Sequence, residues 1–265
     1  MTLHTRVTGK GDLPALLLHG FTRDSSMWEP LLPAWPRLRA CLLDLPGHGG
    51  SPPVQGSFDD VVDQVAKVLG AHARNVPGVV LGYSMGARVA LRLALRHPRL
   101  VRALVLDGVT AGITNAAERQ QRVDQDAAHV RTLEAHGVEV FLRSWEELPM
   151  FEGVKRLGPD VQAALHAQRA RQTAPGLASA LKVLGTGSMP DMTSRVVALD
   201  ATTLLISGEQ DTKFTNAARA LSDAMPRARH ITLPGGHACH LEHPDAYAAA
   251  VGTFLNTLED PGSHP

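Results

Sequence analysis

A chain of 265 residues carrying 26 basic and 26 acidic side chains has room for one large α/β domain or two small ones. The balanced charge gives no electrostatic case for a nucleic-acid or membrane partner, and folding at this length buries roughly 70–75% of the surface, so neither a disulfide nor a metal is needed for stability. The cysteines, Cys41 and Cys239, fit a reduced cytoplasmic protein better than a disulfide framework, although one bridge between them stays open.

In chain order, the first apolar run, 13–18, is too brief to span a membrane and lacks a signal-peptide cleavage pattern. Strands are expected at 15–19, 40–44, 78–82, 103–107, 202–207 and 229–233, each a short apolar run closed by Gly, Asp, His or Pro. Helical periodicity covers 58–72, 85–97, 217–225 and 244–258. This alternation predicts an α/β fold with a mostly parallel, doubly wound sheet. Between about 110 and 194 no strand-like run occurs, and polar, Ala- and Arg-rich helical stretches are broken by prolines. The expected organisation is a core of 1–109 and 195–265 with a helical cap, 110–194, inserted over the carboxyl edge of the sheet, where ligands of open α/β sheets bind. The closing "EDPGSHP" reads as a frayed tail.

Within this frame, "GYSMG" (82–86) follows a strand and precedes a helix, the context of a nucleophile elbow. A serine hydroxyl is a poor nucleophile and base until an imidazole takes its proton, so Ser84 needs partners. Asp211 stands in a loop just after one strand and His237 follows the next, at the entry to the last helix. The chain order Ser–Asp–His is that of α/β-hydrolases; Asp211 would orient the imidazole and His237 would exchange protons with Ser84. "LLLHGF" (16–21) supplies a loop in which the backbone N–H of Phe21, together with that of Met85, would form an oxyanion hole. His19 is read as a buttress of that loop and His48 as a turn residue. His237, His240 and His243 share a spacing of three, but with no further ligand type calling for an ion, no metal site is expected.

The motifs "LHGF", "DLPGHGGS", "GYSMGARVAL", "GEQDTKF" and "GGHACHLEHP" together resemble the α/β-hydrolase-fold synthases of menaquinone biosynthesis, the MenH-type 2-succinyl-6-hydroxy-2,4-cyclohexadiene-1-carboxylate synthases. The resemblance runs along nearly the whole chain. It implies that Arg88, four residues after the elbow serine and on the same side of the helix, faces substrate. It also implies substrate-binding roles for Arg122, which opens the R-x-x-x-D pattern completed by Asp126, and for Arg169, with Arg171 close enough to compete for that match. Trp145 and Tyr83 complete the implied binding set. The family's substrate carries three carboxylates, which planar guanidinium forks hold better than ammonium groups. The reaction implied is elimination of pyruvate with no metal or organic cofactor: Ser84, backed by His237, removes a ring proton, and the oxyanion hole holds the enolate.

Two other readings stand beside it. A carboxylesterase or a C–C bond hydrolase would use Ser84 as nucleophile, and a non-catalytic receptor would keep the triad while only binding a small ligand. The partner expected is a small polycarboxylate, with no nucleic acid and no membrane, for a cytoplasmic monomer or small homo-oligomer.

Overall fold

The computed structural model describes residues 2–74 and 76–258; the expected frayed tail, 259–265, lies outside the described residues. Among the described residues, seven strands form one sheet: β1 (Thr5–Thr8), β2 (Leu13–Leu18), β3 (Leu38–Leu43), β4 (Gly78–Tyr83), β5 (Val101–Asp107), β6 (Thr202–Gly208) and β7 (Ala228–Leu233). Their spatial order is β1-β3-β2-β4-β5-β6-β7. β1 pairs antiparallel with β3, and the remaining pairs are parallel. The six apolar runs seen in the sequence thus become β2 to β7. β1 was not foreseen: "TRVT" is polar and exposed, an edge strand with no apolar signature.

The helices are α1 (Phe58–Ala73), α2 (Met85–Arg96), α3 (Ala116–Trp145), α4 (Pro159–Ala170), α5 (Ala174–Leu184), α6 (Thr212–Ala224), α7 (Cys239–Glu242) and α8 (Pro244–Asn256). A 3-10 helix, Ser25–Ala34, with Pro30 and Pro33 inside it, was also unforeseen. The central strands β2 to β6 are buried on both sides, which explains their continuous apolar runs, whereas the edge strands β1 and β7 are partly exposed. Leu16, Leu18, Val80, Leu104 and Leu106 face α1, α2 and α6. Leu13, Leu17, Val79, Leu81 and Val105 face the 3-10 helix and α8. Cys41 and Cys239 are free thiols, both buried.

The chain leaves β2 for β3 on one side and returns to β4 on the other. This reversal opens a crevice outside the carboxyl ends of β2 and β4, the place where doubly wound sheets bind ligands. Between β5 and β6, α3, α4 and α5 pack around a small core of their own that includes Leu133, Phe141, Trp145, Leu165 and Leu177. α3 is broken at Gly137, where φ is 76°. No helix among the described residues is long and apolar enough to cross a membrane.

Candidate active site

Ser84 sits at the tip between β4 and α2 with φ 51° and ψ −106°, a conformation that a residue bearing a Cβ adopts only under strain. The turn is possible because Gly82 and Gly86 flank it. A Cβ on Gly82 would lie 2.6 Å from the Gly86 carbonyl oxygen, and one on Gly86 would lie 2.6 Å from that of His19. The second contact presses the start of α2 against the loop after β2. The Ser84 N–H donates to the Asp107 carbonyl at 2.8 Å, tying the elbow to the end of β5.

His237 reaches Ser84 from the loop after β7. Its Nδ1 lies 2.7 Å from Asp211 Oδ2 and its Nε2 lies 3.0 Å from Ser84 Oγ. The carboxylate can only accept, so Nδ1 carries the proton and Nε2 is free to accept from the serine hydroxyl. Asp211 is also the N-cap of α6, accepting from the Phe214 N–H at 3.3 Å. That cap starts α6 at Thr212, ahead of the 217 read from periodicity, because "TKFT" has no apolar stripe to announce it. The one-turn helix α7 intervenes between His237 and α8, so the histidine stands further from the last helix than its sequence context implied. Glu242 of α7 holds the histidine loop by accepting from the Gly236 N–H at 3.0 and 3.1 Å. The ring of His237 is buried against Phe214, with centroids 4.5 Å apart.

The N–H groups of Phe21 and Met85 have no hydrogen-bond partner among the described residues, and that of Met85 heads α2, where helix donors are unspent and the dipole is positive. The loop carrying Phe21 is fixed by two neutral histidines. His19 accepts from the Leu45 N–H at 2.9 Å and donates to the Gly20 carbonyl at 2.8 Å. His48 accepts from the Thr22 N–H at 3.3 Å and donates to the Pro46 carbonyl at 3.2 Å. His19 is therefore the buttress expected, and His48 is a second one.

The histidines grouped by their spacing of three do not converge. His237 turns to Asp211, His243 is exposed, and His240 is buried with its ring 4.3 Å from that of Tyr83. His240 Nδ1 lies 3.4 Å from the buried Asp107 carboxyl. Burial pushes the Asp107 carboxyl well up and, with the charge of Arg23, the His240 imidazole well down. Burial also lowers His19 and takes His48 down to about 3.

Unfolded, these imidazoles titrate near 6.5, so below that pH the unfolded chain binds more protons. Each ring's contribution to stability is complete above about pH 6.5 and is lost as pH falls below it, for His48 down to about 3, by up to about 1.4 kcal/mol per pH unit. Asp107, raised on folding, opposes this with one proton, and His19, His48 and His240 outweigh it. Thermal melts should therefore show the melting temperature dropping between pH 6.5 and 5; a flat profile there would contradict neutral buried histidines.

Above Ser84 lies a cavity of about 530 Å³ whose walls include Phe21, Tyr83, Met85, Arg88, Arg122, Trp145 and Arg169, the whole of the binding set drawn from the sequence. Arg88 is 7% exposed, donates from Nη1 to the Leu184 carbonyl at 2.7 Å and has no carboxylate partner among the described residues. Burial, then the nearby charge of Arg122, lowers its pKa to about 9, so it remains cationic. Arg122 pairs with Asp126 at 2.9 Å. Arg169 pairs with Glu146 at 2.9 Å and lies over the Phe151 ring, 5.3 Å from its centroid. Arg171 is exposed and points toward Asp24 at 3.5 Å, so of the two competing arginines only Arg169 lines the cavity. Trp145 stacks on Phe141 and meets Phe21 edge-on at 5.1 Å. Sequence reasoning missed Arg23, Phe151, Lys213 and Phe214, which also line the cavity. Arg23 follows Phe21 by two residues and Lys213 follows Asp211 by two, and that proximity was the available signal. The cavity is thus strongly cationic inside a neutral protein.

A hydrogen-bonded Ser–His–Asp line at the carboxyl edge of a mostly parallel sheet defines a class, and the family model described as "Alpha/beta hydrolase family" matches residues 15–250. The chain belongs to the alpha/beta hydrolase family. It is 33% identical over 249 residues, 91% of this chain and 89% of the relative, to a Bacillus subtilis (strain 168) protein named as a candidate 2-succinyl-6-hydroxy-2,4-cyclohexadiene-1-carboxylate synthase. It is 30% identical over 259 residues, 96% of this chain and 99% of the relative, to the 2-succinyl-6-hydroxy-2,4-cyclohexadiene-1-carboxylate synthase of Escherichia coli O1:K1 / APEC. The solved structure of MenH from S. aureus superposes with a TM-score of 0.91 at 28% identity, over 96% of this chain and 98% of that one. Within the family, the chain groups with these synthases.

Proposed function

We propose that this protein is a carbon–oxygen lyase of menaquinone biosynthesis. It eliminates pyruvate from 2-succinyl-5-enolpyruvyl-6-hydroxy-3-cyclohexene-1-carboxylate to give 2-succinyl-6-hydroxy-2,4-cyclohexadiene-1-carboxylate. The observation that carries this reading is the pairing of the Ser84–His237–Asp211 line with an arginine-lined cavity directly above it. An ordinary neutral ester gives such a cavity no reason to bury Arg88 with no ion-paired carboxylate among the described residues.

In the proposed reaction His237 Nε2 takes the Ser84 proton as Ser84 Oγ removes the proton from the ring carbon bearing the succinyl ketone. The electron pair left on that carbon delocalises onto the ketone oxygen, where the Phe21 and Met85 N–H groups stabilise it. Collapse of the dienolate breaks the ring C–O bond and expels enolpyruvate, which leaves as pyruvate after protonation. Asp211 holds the imidazole in the tautomer that can accept and stabilises its cation. Arg88, Arg122 and Arg169 hold the carboxylates, Trp145 and Tyr83 flank the ring, and the 110–194 segment serves as a cap that excludes water. No cofactor takes part, and the setting is the cytoplasm.

Ser84 acts here as a relay base, which separates this reading from a hydrolase. Substrate deuterated at the ring carbon bearing the succinyl group should turn over more slowly than unlabelled substrate, and the intact mass of the protein should stay unchanged during turnover. An adduct on Ser84 that accumulates and decays with turnover would overturn the base assignment.

A further inference from the structure

Besides Arg156, the cations lining the cavity fall into two groups by the charges that act on each. Arg88, Arg122 and Lys213 feel one another's charge and lie toward α2, α3 and α6. Arg23 and Arg169 feel one another's charge and lie toward Tyr83 and Phe151. Arg169 has its own counter-ion in Glu146. Arg23 has none.

The Arg23 side chain is 5% exposed, and its guanidinium makes no hydrogen bond or ion pair among the described residues; Nε in particular is buried without an acceptor. The adjacent carboxylate acts on it through space but makes no ion pair with it. Asp24 Oδ1 is taken by the Ser26 N–H at 3.0 Å and the Gln168 amide at 2.7 Å, and Asp24 Oδ2 faces Arg171. The backbone aims Arg23 inward: Thr22 has φ 65°, the Arg23 N–H closes a turn onto the Gly20 carbonyl at 3.2 Å, and His48 holds the Thr22 N–H. Burial and the charge of Arg169 bring its pKa down to about 10, so at neutral pH it is a charged, desolvated and unmatched group. Such a group is strongly unfavourable unless an anion joins it. Two other buried donors of the same wall, Arg169 Nε and Trp145 Nε1, also lack acceptors.

We infer that Arg23 is a substrate-binding residue that, with Arg169 and Trp145, forms a second carboxylate subsite in the cavity, distinct from the Arg88–Arg122 subsite. The ligand class is a polycarboxylate with anionic groups at both ends, one end held by each subsite and the reacting carbon between them. Its identity as the enolpyruvyl cyclohexene tricarboxylate rests on the function proposed above, but the subsite itself does not.

The test compares wild type with Arg23→Gln and Arg23→Lys in two measurements. The first is the thermal midpoint with and without citrate as a tricarboxylate probe. Without citrate, Arg23→Gln should melt at or above wild type, because an unmatched buried charge has been removed. Citrate should raise the wild-type midpoint and raise that of Arg23→Gln less. Equal citrate effects in the two proteins, including no effect in either, would overturn the subsite, as would a large loss of melting temperature in Arg23→Gln without citrate. The second measurement is steady-state kinetics with the enolpyruvyl cyclohexene substrate. Arg23→Gln should raise KM about 10- to 100-fold, with kcat falling less, and Arg23→Lys should recover part of the loss. An unchanged KM in Arg23→Gln would overturn the assignment. A wild type that turns over no such substrate yet shows the citrate difference would overturn the proposed reaction and leave the subsite supported.

Discussion

Ser84→Ala is expected to lower kcat by about 10²- to 10⁴-fold, the loss that follows removal of a positioned proton-transfer group, while substrate affinity stays close to wild type. The substitution removes one oxygen and keeps the Cβ, so the elbow at φ 51° is neither relaxed nor further strained. His237 would keep its bond to Asp211 at 2.7 Å and the cavity would keep its shape. Ser84→Gly separates strain from chemistry: it should be as inactive as Ser84→Ala yet melt higher, because glycine adopts this backbone without the penalty borne by serine. Stopped turnover at unchanged thermal stability, with tight substrate binding, is the pattern to look for. An Ser84→Ala protein retaining most of its kcat would mean that the proton is removed by another group.

Arg88→Met should reduce kcat/KM by roughly 10- to 100-fold through the loss of a charge-assisted contact to a carboxylate. Its melting temperature should hold or rise, because methionine fills the same volume and removes a buried cation whose one strong contact is the Leu184 carbonyl at 2.7 Å. Arg88→Lys should not restore full activity: an ammonium lacks the planar fork, and its proton is more easily lost in a buried site. Full kcat/KM in Arg88→Met would remove the carboxylate-clamp argument for that position. A collapse in melting temperature would show instead that Arg88 is there to join α2 to α5.

The core of the fold was legible because its physics is local. A strand buried on both faces must be apolar throughout, and 15–19, 78–82 and 103–107 announce themselves that way. β1 escaped because an exposed edge strand such as Thr5–Thr8 needs only a partner's backbone, and Val7 is 57% exposed. The start of α6 escaped because it is set by a cap, Asp211, whose side chain also serves His237. The 3-10 helix at Ser25–Ala34 escaped because Pro30 and Pro33 argue against any helix.

The site divides in the same way. Ser84, Asp211 and His237 could be read because the motif fixes each at a strand end, and strand ends of a parallel sheet converge. Arg88 could be placed from helical spacing. Arg23 could not, because in "FTRDSS" it reads as a charged turn residue next to its own counter-ion. Only the left-handed Thr22 and the diversion of Asp24 to Ser26 and Gln168 turn it into the cavity, and nothing in local composition encodes that.

The most direct test of the account is a side-by-side spectrophotometric assay of the wild-type protein with the enolpyruvyl cyclohexene tricarboxylate and with a short-chain nitrophenyl ester. A pyruvate-eliminating synthase gives rapid appearance of the conjugated diene with equimolar pyruvate and little ester cleavage. Brisk ester hydrolysis with no diene would contradict that assignment, making Ser84 an ordinary nucleophile beneath arginines that serve some other acidic substrate.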